Sequence, residues 1–141
     1  MPNILYINHY AGRDDLGMEF RPHSLAKEWV NLGHNVLIVG ATYSHLRYMQ
    51  PQAGYEKVDA ICYKWLLTPK YKGNGIARLL NVLAFAARLF VNSLFFVSKF
   101  KPNIVIASST YPLDIFPSWL IARLSGAKLL FEIHDLWPMS P

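Results

Sequence analysis

Three apolar runs in this chain break off into polar residues. His9-Tyr10 follows NILYIN, Ser108-Ser109-Thr110 follows NIVIA, and His134-Asp135 ends the run Ala127–Ile133. Short runs rich in isoleucine, valine and aromatic residues read as strands. In an open α/β sheet, ligands bind outside the carboxyl ends of the strands. A lone histidine is ordinarily a hydrogen-bonded structural residue. Imidazole, carboxylate and hydroxyl groups delivered to one rim by three strands favour a site for a polar ligand.

Several chemistries are disfavoured by what the motifs lack. There is no G-x-G-x-x-G after the first run, which argues against a nicotinamide or flavin enzyme, and no G-x-x-x-x-G-K-[ST] of a P-loop nucleotidase. Ser108 and Ser109 have no flanking G-x-S-x-G, so neither reads as a hydrolase nucleophile. His9, His23, His45 and His134 show no ligand spacing for zinc, and the single cysteine, Cys62, excludes an internal disulfide. In Gly17-Met18-Glu19-Phe20-Arg21-Pro22 the glycine would let backbone amides approach an anion near a helix start, with Arg21 as a two-pronged clamp. The bland alternative is a solvated loop holding a Glu19–Arg21 pair.

The elements that must position these residues alternate along the chain. After the first strand (Asn3–Asn8) and a loop to Pro22, a helix is expected from His23 to Leu32, stopped by Gly33. The second strand, Asn35–Thr42, is a nearly unbroken apolar run, as in a parallel strand covered on both faces. Tyr43–Lys57 reads as loop, and Asp59–Leu67 as the third strand. One long helix spans Ile76–Phe100, about 37 Å at 1.5 Å per residue. The fourth strand is Asn103–Ala107, Leu113–Ser125 is a helix stopped by Gly126, and the fifth strand is Ala127–Ile133. Strands alternating with helices predict an α/β fold with a doubly wound parallel sheet ordered 3-2-1-4-5. That order flanks a crevice with the first loop and the Ser-Ser-Thr turn, and puts His134 beside it.

Length predicts one domain with a real core, since 141 residues fit a single domain and 52% of them are apolar. The N-terminus lacks the basic-then-apolar order of a signal peptide, and the apolar setting of Cys62 suits the cytosol. The net charge of +5 points to an anionic partner. From Ala60 to Leu113 there is no Asp or Glu, yet that block holds half of the fourteen basic residues. On the long helix, Arg78, Asn81, Arg88, Asn92 and Lys99 form one polar stripe, with Phe85 and Phe96 along the same side. Its inner face would pack on the sheet. Arg78, Phe85, Arg88, Phe96 and Lys99 would face an anionic membrane surface. Arg88 splits the run, which argues against a transmembrane span, and basic residues set among apolar ones argue against nucleic acid.

The residues NILYINHY, GMEFRPHSLAKEWVNLGHNVLIVGA, ASSTYPL and FEIHDLWPMSP, in this order and spacing, resemble the N-terminal half of a GT-B-fold retaining glycosyltransferase of family 4. The likeness is to the bacterial, fucosamine-transferase-like branch that builds O-antigen, capsule and exopolysaccharide. It implies a Rossmann-like domain spanning 1–141 that holds the acceptor, a lipid-linked or polysaccharide chain. The nucleotide-sugar donor, expected to be UDP-linked in this branch, would sit on a second domain carrying paired glutamates, which this sequence does not contain. By that likeness the fragment alone is expected to be inactive, and catalysis would need no metal or cofactor. His134, with Asp135, matches the family position that supports the transition state against the donor sugar. Gly17, Glu19 and Arg21, with His9, Ser109 and Thr110, are expected around donor and substrate. The full enzyme would act in the cytoplasm at the inner face of the plasma membrane, and the fifth strand would leave an edge open to pairing with another copy. Two rivals stand beside this reading: a non-catalytic membrane-associated module, and a nucleotide-sugar enzyme such as an epimerase.

Overall fold

The structure, a computed structural model, describes residues 1–134. Asp135 and the Leu136-Trp137-Pro138 segment lie outside the described residues. Strands β1 (Asn3–Ile7), β2 (Asn35–Ala41), β3 (Gly54–Val58), β4 (Ile61–Leu66), β5 (Ile104–Ala107) and β6 (Lys128–Phe131) form one sheet, ordered β3-β4-β2-β1-β5-β6. Every neighbouring pair is parallel except β3–β4. The five expected strands therefore stand in the expected 3-2-1-4-5 order, flanked by helices in a Rossmann-like α/β fold.

Alternation along β1 divides the core into two. Leu5 and Ile7 join Leu37, Val39, Val105 and Ile121 on one face of the sheet. Ile4 and Tyr6 join Ile38, Ile61, Tyr63 and Trp65 on the other. Helix α1 (Arg21–Asn31) covers the Tyr6 face through Ala26, Leu25 and Trp29. It begins two residues earlier than the sequence predicts, because Pro22 sits in its first turn, where a missing N–H costs nothing. Helices α2 (Ile76–Val91), α3 (Ser93–Phe95) and α4 (Ile115–Ser125) cover the opposite face. Gly126, at φ 69°, closes α4 as a left-handed stop.

Two elements depart from the sequence reading. The first is β3, placed in a loop by its polar composition. It is an edge strand joined to β4 by a two-residue hairpin turn, with Val58 opposite Ile61 and both Asp59 (φ 51°) and Ala60 (φ 64°) left-handed. This is the backbone of a type I′ turn, whose usual Asn-Gly signal is absent here. Asp59 and Ala60 therefore belong to the turn, not to the third strand.

The second departure is the long helix. It breaks after Val91, and its continuation through α3 and a π-helical turn (Phe96–Phe100) is bent by 43°. Asn92 Nδ2 donates to the Arg88 carbonyl (2.7 Å) and Ser93 Oγ to the Leu89 carbonyl (3.0 Å). Side chains that bond back into the preceding turn bend a helix. The helix is also rotated from the expected setting. Phe85 and Phe96, assigned to a membrane face, are fully buried in the core with Leu89. Asn81 lies buried on the same inner side, where Nδ2 donates to the Pro69 carbonyl (2.7 Å). Polarity misleads here because Arg78 and Asn81 of the polar stripe face the loops at the sheet's carboxyl edge, while leucines of the helix face solvent. Arg88 and Lys99 are exposed, but Arg78 is partly buried and turned into a cleft.

Candidate functional site

The carboxyl edge of the sheet holds two polar clusters, supplied by alternate residues of the β1 exit. Tyr6 and Asn8 serve the first, on the α1 side. Tyr6 Oη donates to Glu132 Oε2 (2.6 Å), and Ser108 Oγ lies 2.7 Å from the same oxygen. The ring Nε2 of His134 is 2.9 Å from Ser108 Oγ, and Asn8 Nδ2 donates to the Ser108 carbonyl (3.2 Å). Arg21, at the start of α1, pairs through Nε with Glu132 Oε1. β1, α1, β5 and the β6 exit thus converge on one chain, Arg21–Glu132–Ser108–His134. Burial alone would raise the Glu132 carboxyl, but hydrogen bonds from Tyr6, Ser108 and Arg21 hold it below the ordinary glutamate range. Burial, then Glu132, pushes the Tyr6 phenol well up, so it stays a donor.

A proton count gives this chain a direction. Ser108 has one hydroxyl proton, and with Glu132 ionised that proton is best placed on the carboxylate. The His134 Nε2 then donates to Ser108 Oγ, which fixes the tautomer and the ring orientation. Ser108 is buried and His134 exposed, so the serine positions and the imidazole meets solvent.

His9 anchors the second cluster, on the α2 and α4 side. It is fully buried, bonded through Nδ1 to the Tyr111 hydroxyl, and packed 4.8 Å (centroids) from Phe85. Burial, reinforced by the Arg47 charge, lowers its imidazole to about 3, so it is neutral. Its backbone N–H donates to Ser109 Oγ (3.0 Å), latching the β1 exit to the β5 exit. His9 and Ser109 are therefore internal braces, contrary to the expected substrate contacts. Above them, Tyr10, Arg78, Thr110 and Tyr111, with Leu79 and Val82 of α2, line an open cleft of about 510 Å³. Arg78 donates to Tyr10 Oη (3.3 Å). Of the expected contacts, Thr110 reaches this cleft.

The first loop is closed upon itself. The amides of Gly12, Gly17 and Glu19 donate to the carbonyls of Glu19 (2.7 Å), Arg13 (2.8 Å) and Tyr10 (3.2 Å). A Cβ at Gly12 would run into the Gly17 carbonyl, and Gly17 (φ +104°) packs against Tyr48 and Arg47. The glycines thus serve close packing of the loop. The amides of Gly17 and Glu19 are occupied, which removes the anticipated phosphate contact. Two arginines clamp the loop from outside. Arg13 bonds Glu56 (2.7 and 3.0 Å) and Asp15 (2.7 Å), while buried Arg47 donates to the carbonyls of Ala11 (2.7 Å), Ala41 (2.7 Å) and His9 (3.2 Å). Arg21 faces Glu132 instead of Glu19.

Sequence reasoning passed over Glu132 and Tyr6, and set on a membrane face the Arg78 that lines the cleft. The signal for Glu132 was present: it stands two residues before His134, and in extended chain such residues share a side. Among the described residues no group of three His, Cys, Asp or Glu side chains could hold a metal ion.

No family model matches the chain, and no curated protein matches it. Among solved structures it is similar to the C-terminal domain of a hydrogenase from Pyrococcus furiosus. One such structure (residues 83-215) shares 15% identity over 93% of this chain and 91% of the other, with a TM-score of 0.64. A second (residues 78-226) shares 15% identity over 94% and 91%, with a TM-score of 0.62. At that identity the likeness shows a common α/β fold and nothing of function.

Proposed function

We propose that this chain is the acceptor-side domain of a GT-B glycosyltransferase, which moves a sugar from a nucleotide-sugar to a saccharide or lipid-linked acceptor with retention of configuration. One observation carries the reading: an exposed imidazole, His134, stands at a strand exit on a hydrogen-bond chain through Ser108 and Glu132 to Arg21. That chain lies beside the β1–β5 switch, where ligands of doubly wound sheets bind. In such a transfer charge separates between the sugar and the departing diphosphate, and a preoriented donor aimed at it lowers the barrier. His134 Nε2–H is committed to Ser108 Oγ, so in the neutral ring Nδ1 is an acceptor that would orient a hydroxyl of the sugar, while donors to the departing diphosphate would come from the second lobe. The acceptor would occupy the Tyr10–Arg78–Tyr111 cleft. The nucleotide-sugar would be held by a second lobe of the same architecture, and no resident metal or cofactor is invoked.

The test is sugar transfer by the complete gene product from a panel of labelled nucleotide-sugars. Transfer is expected, and His134→Ala should lower kcat about 100-fold, roughly 2.7 kcal/mol of barrier. Turnover of His134→Ala within about twofold of wild type, under 0.5 kcal/mol, would remove its catalytic role. No transfer from any donor would remove the function itself.

A further inference from the structure

We infer that the outer face of α2 and α3 is a docking surface for an anionic lipid bilayer. The observation is a rotation: the helix turns Asn81, Phe85 and Leu89 inward, leaves Arg88 and Lys99 exposed, and turns an apolar stripe outward. At about 100° per residue, Leu79, Leu80, Leu83, Phe90, Val91 and Leu94 fall on one side, and each is between 45% and 83% exposed. Helix α4 packs beside α3 over the same core and turns Phe116 and Trp119 outward as well. Contiguous exposed apolar surface of this kind marks an interaction site.

Charge selects the occupant. Exposed Arg88 and Lys99 lie on these helices, exposed Lys70, Lys72 and Lys101 lie on the segments just before and after them, and the chain carries no Asp or Glu from Ala60 to Leu113. A second copy laid face to face would set these cations against their own images, with no carboxylate from that block to pair them. An anionic bilayer neutralises them while its acyl boundary takes up the leucines and phenylalanines, as for an interfacial amphipathic helix. The segment lies on the membrane and does not cross it. Phe85, Leu89 and Phe96 are locked in the sheet's core, and among the described residues no single helix is long and apolar enough to span. Leu79 both lines the cleft and faces outward, so docking brings the cleft to the lipid surface. This inference stands without the glycosyltransferase reading, since vesicle binding and sugar transfer are measured separately.

Flotation of the chain with phosphatidylglycerol-containing vesicles, against pure phosphatidylcholine vesicles, tests it. Binding to the anionic vesicles is expected, weakening as salt rises. Leu80→Glu with Leu94→Glu should lower the partition at least tenfold. Arg88→Gln and Lys99→Gln should each lower it roughly fivefold, and with neither side chain in the core this pair carries the test if the leucine variants melt early. Absence of flotation, or flotation that both sets of variants leave intact, overturns the inference. So does a concentration-dependent dimer in lipid-free solution that Leu80→Glu converts to monomer, which would make a second copy the occupant.

Discussion

The two polar clusters at the sheet's carboxyl edge are built on opposite principles. On the α1 side, Glu132 is ionised and surrounded by donors from Tyr6, Ser108 and Arg21, and the chain ends on an exposed histidine. On the α2 side, buried Asp114 has no hydrogen-bond partner on either carboxyl oxygen among the described residues. The same holds for His9 Nε2 and Asn81 Oδ1. Charge is concentrated where water and ligand reach it. Where they do not, burial disfavours charge: it lowers His9 to about 3, which leaves the imidazole neutral, and raises Asp114 to about 6. The paired cluster is suited to chemistry and the unpaired one to fixing the strand exits.

The largest way to break this contrast lies between the clusters. Arg47 ties the exits of β1 and β2 through three carbonyls, and burial pulls its guanidinium down to about 10. Arg47→Met leaves those carbonyls unpaired and should cost about 3 kcal/mol or more in urea unfolding. Asp114→Asn comes next, with the opposite sign. The folded carboxyl titrates near 6 and the unfolded one near 3.8, so the native state binds the extra proton between those values. Stability therefore falls as pH rises through that window and levels off above it. Asp114→Asn should gain about 2 kcal/mol at pH 8 and close to nothing by about pH 3, below the unfolded value.

Glu132→Gln sharpens the comparison on the other side. A depressed carboxyl contributes stability above its unfolded pKa and loses it as pH falls through the folded value. The variant should cost about 1 kcal/mol at pH 7, discounted for its partly exposed arginine partner, and close to nothing at low pH. Thermal melts across pH should thus show the two carboxyl substitutions changing stability in opposite directions at neutral pH. The smallest effect is at the β3–β4 hairpin. Ala60→Gly relieves a left-handed alanine in the turn and should stabilise by about 0.5–1 kcal/mol.

The sheet was legible because each parallel strand is an apolar run bounded by turn chemistry, and buried strands must be apolar on both faces. β3 escaped because an edge strand has a solvated side, so Tyr55 and Lys57 look like loop. The helix after Gly75 was legible as a helix and misread as a face. With apolar residues on nearly every side, composition does not say which leucines the sheet covers, and the polarity of Asn81 suggests a surface residue although it bonds loop carbonyls. At the site, the chemistry of His134 and its delivery by a strand could be foreseen. Ser108 and Glu132 as its supports could not, because their meeting depends on the β5–β6 register that sets Ala107 beside Phe131. Gly17 carried a false signal, since a glycine needed for loop packing and one needed for a ligand look alike in sequence.

In the proposed enzyme the rim works as one hydrogen-bonded chain ending on His134. The measurement that tests it most directly is kcat for sugar transfer by Ser108→Ala, His134→Ala and the double variant in the complete gene product. If the serine acts only by orienting the imidazole, Ser108→Ala should lose about tenfold and the double variant should be no slower than His134→Ala. Losses that multiply in the double variant, or a Ser108→Ala enzyme as fast as wild type, would contradict it.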